Sequence, residues 1–238
     1  MLIRAQSSHV SFRSSCWKSL AERNAMKLYA DSARLDVVIP LVQAGLVAGV
    51  TTNPSILHRD GFTGADRETV FDRLIEAGAR EIFLQAVGAD EHAMRADAES
   101  LVGLGDRLVV KVPATAAGFA TGAALVADGT KVLVTAVYSV AQAVYAAAIG
   151  ASYIAPYYGR LADAVADPLA LVTRMDAVLA GSGTRSLVAS VRSVEAAEQL
   201  ALAGIRHLTA NVPVLLDMMV HPVSESSAAE FERVSTAV

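Results

Sequence analysis

From Lys27 onward the chain alternates between short apolar runs and longer segments whose apolar residues recur about every 3.6 positions. The runs are KLYAD (27–31), LVAGVTTN (46–53), EIFLQAV (81–87), RLVVKVP (107–113), KVLVTAV (131–137), SYIAPY (152–157), SLVAS (186–190) and HLTAN (207–211). Bounded by polar, Gly or Pro positions, these eight runs predict buried strands. Segments such as ETVFDRLIEAGA, SVAQAVYAAAIGA and SVEAAEQLALAG predict helices, most of them stopped by a glycine just before the next strand. Strict alternation of this kind predicts a parallel sheet with right-handed crossovers. Eight repeats favour a closed (β/α)8 TIM barrel over an open doubly wound sheet, and no G-x-G-x-x-G follows the early strands. SESSAAEFERVSTAV adds a C-terminal helix over 224–236, so residues 26–238 read as a single α/β domain.

Composition narrows the class. The chain has 238 residues, 53% of them hydrophobic and 18% charged, which is enough for one large core. No apolar stretch approaches the roughly 18 residues of a spanning helix, so no membrane partner is expected. Net charge is -4, and residues 1–25 carry four basic groups against one acidic, which leaves the remainder at -7. Such an acidic body is a poor nucleic-acid binder. Cys16 is the only cysteine, which excludes an intramolecular disulfide and a cysteine-built zinc site and fits a reducing, cytoplasmic setting. Residues 1–25 are serine-rich, basic and without apolar periodicity; they read as a disordered extension ahead of Met26, with an organellar transit segment as the alternative.

In a barrel of this kind, chemistry belongs at the C-terminal strand ends. Those ends carry Asp31, then Thr51, Thr52 and Asn53, then Gln85, Lys111, Thr135, Tyr157 with Arg160, Ser190 with Arg192, and Asn211. A closed barrel aims them at one mouth, within reach of one small molecule. Lys111 is one of only four lysines, and it sits inside an apolar run. Desolvation there lowers an amine's pKa and raises its nucleophilic fraction at neutral pH, which suits Schiff-base chemistry. A structural ion pair with Asp31 across the barrel is the alternative. His9, His58, His92, His207 and His221 show no metal-ligand spacing, and Met218 and Met219 read as core or interface.

GVTTNPSIL (49–57), VVKVPAT (109–115), TAVYSVAQA (135–143) and YIAPYYGRL (153–161) together resemble the transaldolase family of class I aldolases. Similarity runs in order from about Met26 to about Val220. Gln85 where transaldolases generally carry glutamate, APY (155–157) where they have SPF, and Leu133 where they have asparagine resemble the fructose-6-phosphate aldolase branch.

The resemblance implies that Lys111 is the Schiff-base lysine, acting without metal or other cofactor on a sugar phosphate or hydroxyketone. It implies acid/base work for Tyr157 on the C4 hydroxyl, aided by the neighbouring cationic lysine or by a water held by Gln85 and Thr135. Asp31 and Asn53 would contact substrate hydroxyls, while Thr52, like Thr51, would contribute to the site or only satisfy its turn. Arg160 and Ser190 would bind phosphate, with Arg192 as a second cation. One departure is that RLAD puts Asp163 three residues after Arg160 instead of two. The expected activity is cleavage or formation of a bond between a dihydroxyacetone unit and an aldehyde such as glyceraldehyde 3-phosphate. The rivals are transaldolase and a catalytically inert sugar-phosphate-binding barrel. A ring-type homo-oligomer is also implied.

Overall fold

A computed structural model describes residues 25–236, so the expectation for residues 1–25 falls, Ala25 apart, outside the described residues. Eight strands follow in chain order: β1 (Lys27–Asp31), β2 (Gly49–Thr51), β3 (Glu81–Gln85), β4 (Leu108–Pro113), β5 (Val132–Val137), β6 (Tyr153–Pro156), β7 (Arg185–Val191) and β8 (His207–Ala210). They close into a parallel barrel in sequence order, β8 pairing back onto β1 with Lys27 opposite His207. The fold is the (β/α)8 TIM barrel that the alternation predicts.

The helices, numbered in chain order, are α1 (Leu35–Gln43), α2 (Pro54–Arg59), α3 (Arg67–Glu76), α4 (Glu91–Val102), α5 (Ala116–Ala127), α6 (Val140–Ala148), α7 (Tyr158–Ala162), α8 (Pro168–Val178), α9 (Val194–Leu202), α10 (Val212–Asp217) and α11 (Pro222–Ser235). Local chemistry sets their starts: the side chains of Asn53, Asp90, Thr115, Ser139, Asp167, Ser193 and Asn211 each accept a backbone N–H from the first turn of the helix they cap. Three short helices, α2, α7 and α10, follow directly on strands β2, β6 and β8, where the apolar period is too brief to announce them. The first of them shortens a predicted strand: LVAGVTTN pairs only over Gly49–Thr51, because Asn53 and Pro54 cap and open α2. α11 buries none of its residues.

Alternation along the strands divides the core in two. Val110 and Val112 of β4, like Ile82 and Leu84 of β3, face the helices in the larger cluster. Tyr29, Phe83, Val109, Leu133, Tyr153, Leu187 and Ala189 fill the barrel interior. Towards the N-terminal strand ends, Glu81 accepts hydrogen bonds from Tyr29 Oη at 2.7 Å and Tyr153 Oη at 2.9 Å, and Arg185 donates to Tyr153 at 3.1 Å. Phe83 meets both tyrosine rings edge-on at 5.5 Å. Burial, with Lys27 and Arg185 nearby, pulls His207 down to about 4, so it sits neutral beneath this layer. The packed floor leaves chemistry to the opposite, C-terminal end.

Candidate active site

Inward-facing positions at the C-terminal strand ends line a cavity of about 480 Å³, within the range that takes a small ligand. Strand period two places Asp31, Thr51, Gln85, Lys111, Thr135 and Thr209 around it, each two residues beyond an interior core or floor position on its own strand. Asn53, Tyr157 and Arg160 reach it from the loops and short helices that follow, and Ser190 from the irregular end of β7.

Lys111 is 4% exposed, and its Nζ donates to the Thr52 carbonyl at 2.6 Å. Among the described residues no carboxylate lies within ion-pair distance of it. The geometry therefore does not form the Asp31 ion pair that the sequence left open. Burial pulls the amine down to about 8, and the more distant attraction of Asp31 opposes this without cancelling it. Asp31 is pushed up by burial, against the pull of Lys111 and a 2.6 Å hydrogen bond from Thr51 Oγ1. Thr51 has one hydroxyl proton; with Asp31 ionised it donates there, so Thr209, 2.6 Å away, donates to Thr51.

Across the mouth, Tyr157 Oη and Thr135 Oγ1 lie 3.0 Å apart. Burial pushes the phenol above its ordinary value, outweighing the Thr135 hydrogen bond. The Arg160 guanidinium stacks over the Tyr157 ring at 5.1 Å, which holds the ring from its outer face. Two bulges shape this wall: Ala136 and Ser190 both have φ of 58°, a left-handed conformation costly for residues with a Cβ, at register shifts in β5 and β7. Ser190 is thereby turned to the cavity beside Arg160. Gly159 permits the close approach of α7 to β7, since a Cβ there would sit 2.5 Å from the Ser190 carbonyl oxygen.

Two residues stand elsewhere than the sequence suggested. Thr52 turns its hydroxyl to the Phe83 carbonyl at 3.1 Å and meets Lys111 only through its own carbonyl, so its side chain does not line the cavity. Arg192 lies outside the cavity and pairs with Asp163 at 2.8 Å on the exposed surface. The displaced Asp163 of RLAD is thus the partner that holds Arg192 away. Asn53 spends its side-chain oxygen on the Ile56 N–H at 2.9 Å. Gln85 makes no side-chain hydrogen bond among the described residues.

Sequence reading missed Arg59 and Thr209, both on the cavity wall. Thr209 is the inward, period-two partner of His207, a signal present in HLTAN. Arg59 had no signal, because the helix that carries it was not predicted. Among the described residues no group of three or more His, Cys, Asp or Glu side chains is arranged to hold a metal ion, and no helix is long and apolar enough to cross a membrane.

Among solved structures the chain is similar to a mandelate oxidase variant, with a TM-score of 0.56, 17% identity and coverage of 80% of this chain and 65% of that one. It also resembles a mandelate racemase/muconate lactonizing protein from Herpetosiphon aurantiacus, with a TM-score of 0.53 and 15% identity over 81% of this chain and 55% of that one. At these identities the likeness is one of fold, and the chain spans less than two thirds of either protein. Curated relatives are much nearer in sequence. A protein named "Probable transaldolase" from Streptococcus equi subsp. zooepidemicus is 33% identical over 208 residues, covering 87% of this chain and 96% of that protein. One of the same name from Phenylobacterium zucineum is 33% identical, covering 87% and 94%. The family model described as transaldolase/fructose-6-phosphate aldolase matches residues 28–238. With that match spanning nearly the whole barrel, the chain belongs to the transaldolase/fructose-6-phosphate aldolase family.

Proposed function

We propose that this enzyme is a class I aldolase that splits or joins a dihydroxyacetone unit and an aldehyde such as glyceraldehyde 3-phosphate, with Lys111 as the nucleophile. The observation that carries the reading is the buried Lys111 amine, pulled down to about 8 at the cavity wall with no carboxylate against it. At neutral pH about a tenth of such an amine is uncharged, against well under a thousandth for an ordinary lysine.

The amine adds to the ketone carbon, and the carbonyl oxygen departs as water. The resulting iminium withdraws the electron pair of the C3–C4 bond as the C4 hydroxyl loses its proton, so the aldehyde leaves and an enamine remains. Protonation at C3 and attack of water on the iminium release the ketone and the free amine. Tyr157 handles the C4 oxygen. Pushed up by burial, it enters as a phenol and protonates the aldehyde oxygen as the bond forms; by microscopic reversibility its phenolate is the base in cleavage. Thr135, 3.0 Å away, orients it. Asp31 and Asn53 contact substrate hydroxyls, Gln85 positions water, and Arg160 with Ser190 takes the phosphate.

Borohydride reduction in the presence of dihydroxyacetone, followed by peptide mass mapping, tests the reading. A secondary-amine adduct on Lys111 supports it, and an unmodified lysine points to an inert binding barrel. A second reading, transaldolase, is favoured by the names of the curated relatives. Release of free dihydroxyacetone in the absence of acceptor, against transfer to erythrose 4-phosphate, separates the two.

A cytoplasmic setting, supported by the lone Cys16, belongs to the same proposal. So does a homo-oligomeric ring, supported by α11, which leaves Val223, Phe231 and Val234 more than 60% exposed. Light scattering of the full chain and of a chain ending at residue 221 tests it; equal masses per particle would count against a role for α11.

A further inference from the structure

Gln85 ends β3 on the cavity wall, yet no hydrogen bond of its own side chain fixes where its amide lies among the described residues. A second cavity, of about 350 Å³, shares Asn53, Pro54 and Gln85 with the first, so the glutamine stands in the wall between two open spaces. An amide without partners goes where its backbone puts it. The anchoring of the strand end therefore decides its aim.

On one edge β4 supplies the anchor: Gln85 stands opposite Lys111 in the strand register, and the Ala86 N–H donates to the Lys111 carbonyl at 2.9 Å. An ion pair between helices supplies the other. Arg67, the first residue of α3, forks onto Asp97 of α4, its two terminal nitrogens donating to the two carboxylate oxygens at 2.8 and 2.7 Å. The Nη1–Oδ2 side of that fork also holds the chain at Gln85: Nη1 reaches the Gln85 carbonyl at 3.4 Å, and Oδ2 accepts the Val87 N–H at 2.9 Å. Arg67 Nε donates to the Gly64 carbonyl at 2.9 Å, which ties the fork to the turn before α3.

The side chains of Arg67 and Asp97 are 16% and 20% exposed. Each other ion pair among the described residues, Arg59 with Asp60 at 2.7 Å included, leaves at least one side chain about half exposed or more. Burial works to raise Asp97, yet the fork and the Val87 N–H hold it below the ordinary carboxylate value, so the pair stays charged. Neither residue lines the active-site cavity.

We propose that Arg67 and Asp97 are positioning residues for Gln85: by clasping its carbonyl and the N–H two residues on, they set its amide where it holds the water of the reaction. The proposal rests on the role given to Gln85 in the Schiff-base reading above. Neither side chain touches substrate, so the effect belongs in kcat and not in KM.

A double-mutant cycle on cleavage of fructose 6-phosphate, the ketose that the two proposed halves compose, tests it. Sites are counted in each preparation by borohydride labelling of Lys111 with dihydroxyacetone, so unfolded protein does not enter kcat. Gln85→Leu and Arg67→Met are each expected to lower kcat about tenfold, with KM changed less than about twofold. The double variant should match Gln85→Leu alone within about twofold, because a displaced amide and a missing one fail alike. Where Arg67→Met does not fold, Arg67→Lys, which keeps the charge and loses the fork, takes its place in the same cycle. Equal loss on adding the Arg67 substitution to wild type and to Gln85→Leu would make the pair a purely structural brace and overturn the proposal. An unchanged kcat in either single variant overturns it too, with the Schiff-base reading intact as long as Lys111 labels. If dihydroxyacetone does not label Lys111 in the wild type, that reading falls, and this proposal with it.

Discussion

Lys111 Nζ donates to the carbonyl oxygen of Thr52 at 2.6 Å, a neutral acceptor where a carboxylate would have kept the amine charged. A carbonyl steers the nitrogen without repaying the loss of water around an ammonium, so burial decides the outcome.

Lys111→Met is therefore expected to abolish borohydride labelling and to stabilise the fold. Relief of a pKa shift worth about 3 kcal/mol, less about 1 kcal/mol for the orphaned Thr52 carbonyl, gives about 2 kcal/mol at pH 7. The sign follows from proton counting: between about 8 and 10.5 the unfolded chain binds the proton and the native site does not, so wild-type stability rises with pH across that window. Urea titrations at pH 7 and pH 10 check it; the advantage of the variant should shrink at the higher pH.

The same shift sets the pH dependence of labelling. The initial rate with dihydroxyacetone should climb with pH and level off above about 8, instead of climbing towards 10.5. A profile still rising steeply at pH 9.5 would mean an ordinary, solvated lysine.

Tyr157→Phe removes the proposed proton carrier but leaves the amine and the ring stacked under Arg160. Labelling of Lys111 should survive, while the rate of carbon–carbon cleavage falls about 10²-fold or more. Steady-state cleavage assays beside labelling on the same preparation make the comparison.

Arg160→Ala is expected to raise KM for a phosphorylated aldehyde about tenfold or more. Arg192→Ala should change that KM little and stability by less than about 1 kcal/mol, since its partner Asp163 is 64% exposed. Equal effects of the two substitutions in acceptor titrations would return Arg192 to the site.

At the opposite end of the barrel, Glu81→Ala leaves the phenols of Tyr29 and Tyr153 without their shared acceptor. A loss of about 2–4 kcal/mol is expected in urea unfolding. His207 gives the same floor an acid sensitivity. With its folded value near 4 and an ordinary value of 6.5, stability should decline as pH falls through that interval, and His207→Gln should flatten the decline.

Sequence alone was enough for the barrel, for the ring of polar strand ends and for the place of Lys111 among them. Those features follow from short-range periodicity: a strand buried on both faces must be apolar throughout, so a lysine or a threonine inside one is visible as an exception. The tertiary structure decided which of these polar groups share a cavity. Thr52 and Asn53 are neighbours in sequence, yet one hydroxyl turns to Phe83 and the other side chain reaches the mouth, because β2 gives way to α2 between them. Arg160 and Arg192 read alike as late-loop cations until Asp163, 29 residues before Arg192, was seen to claim one of them. Arg59 is the extreme case. Its position depends on a six-residue helix and on Asp60 being gripped from β1's loop, contacts between segments 27 residues apart that no local pattern encodes.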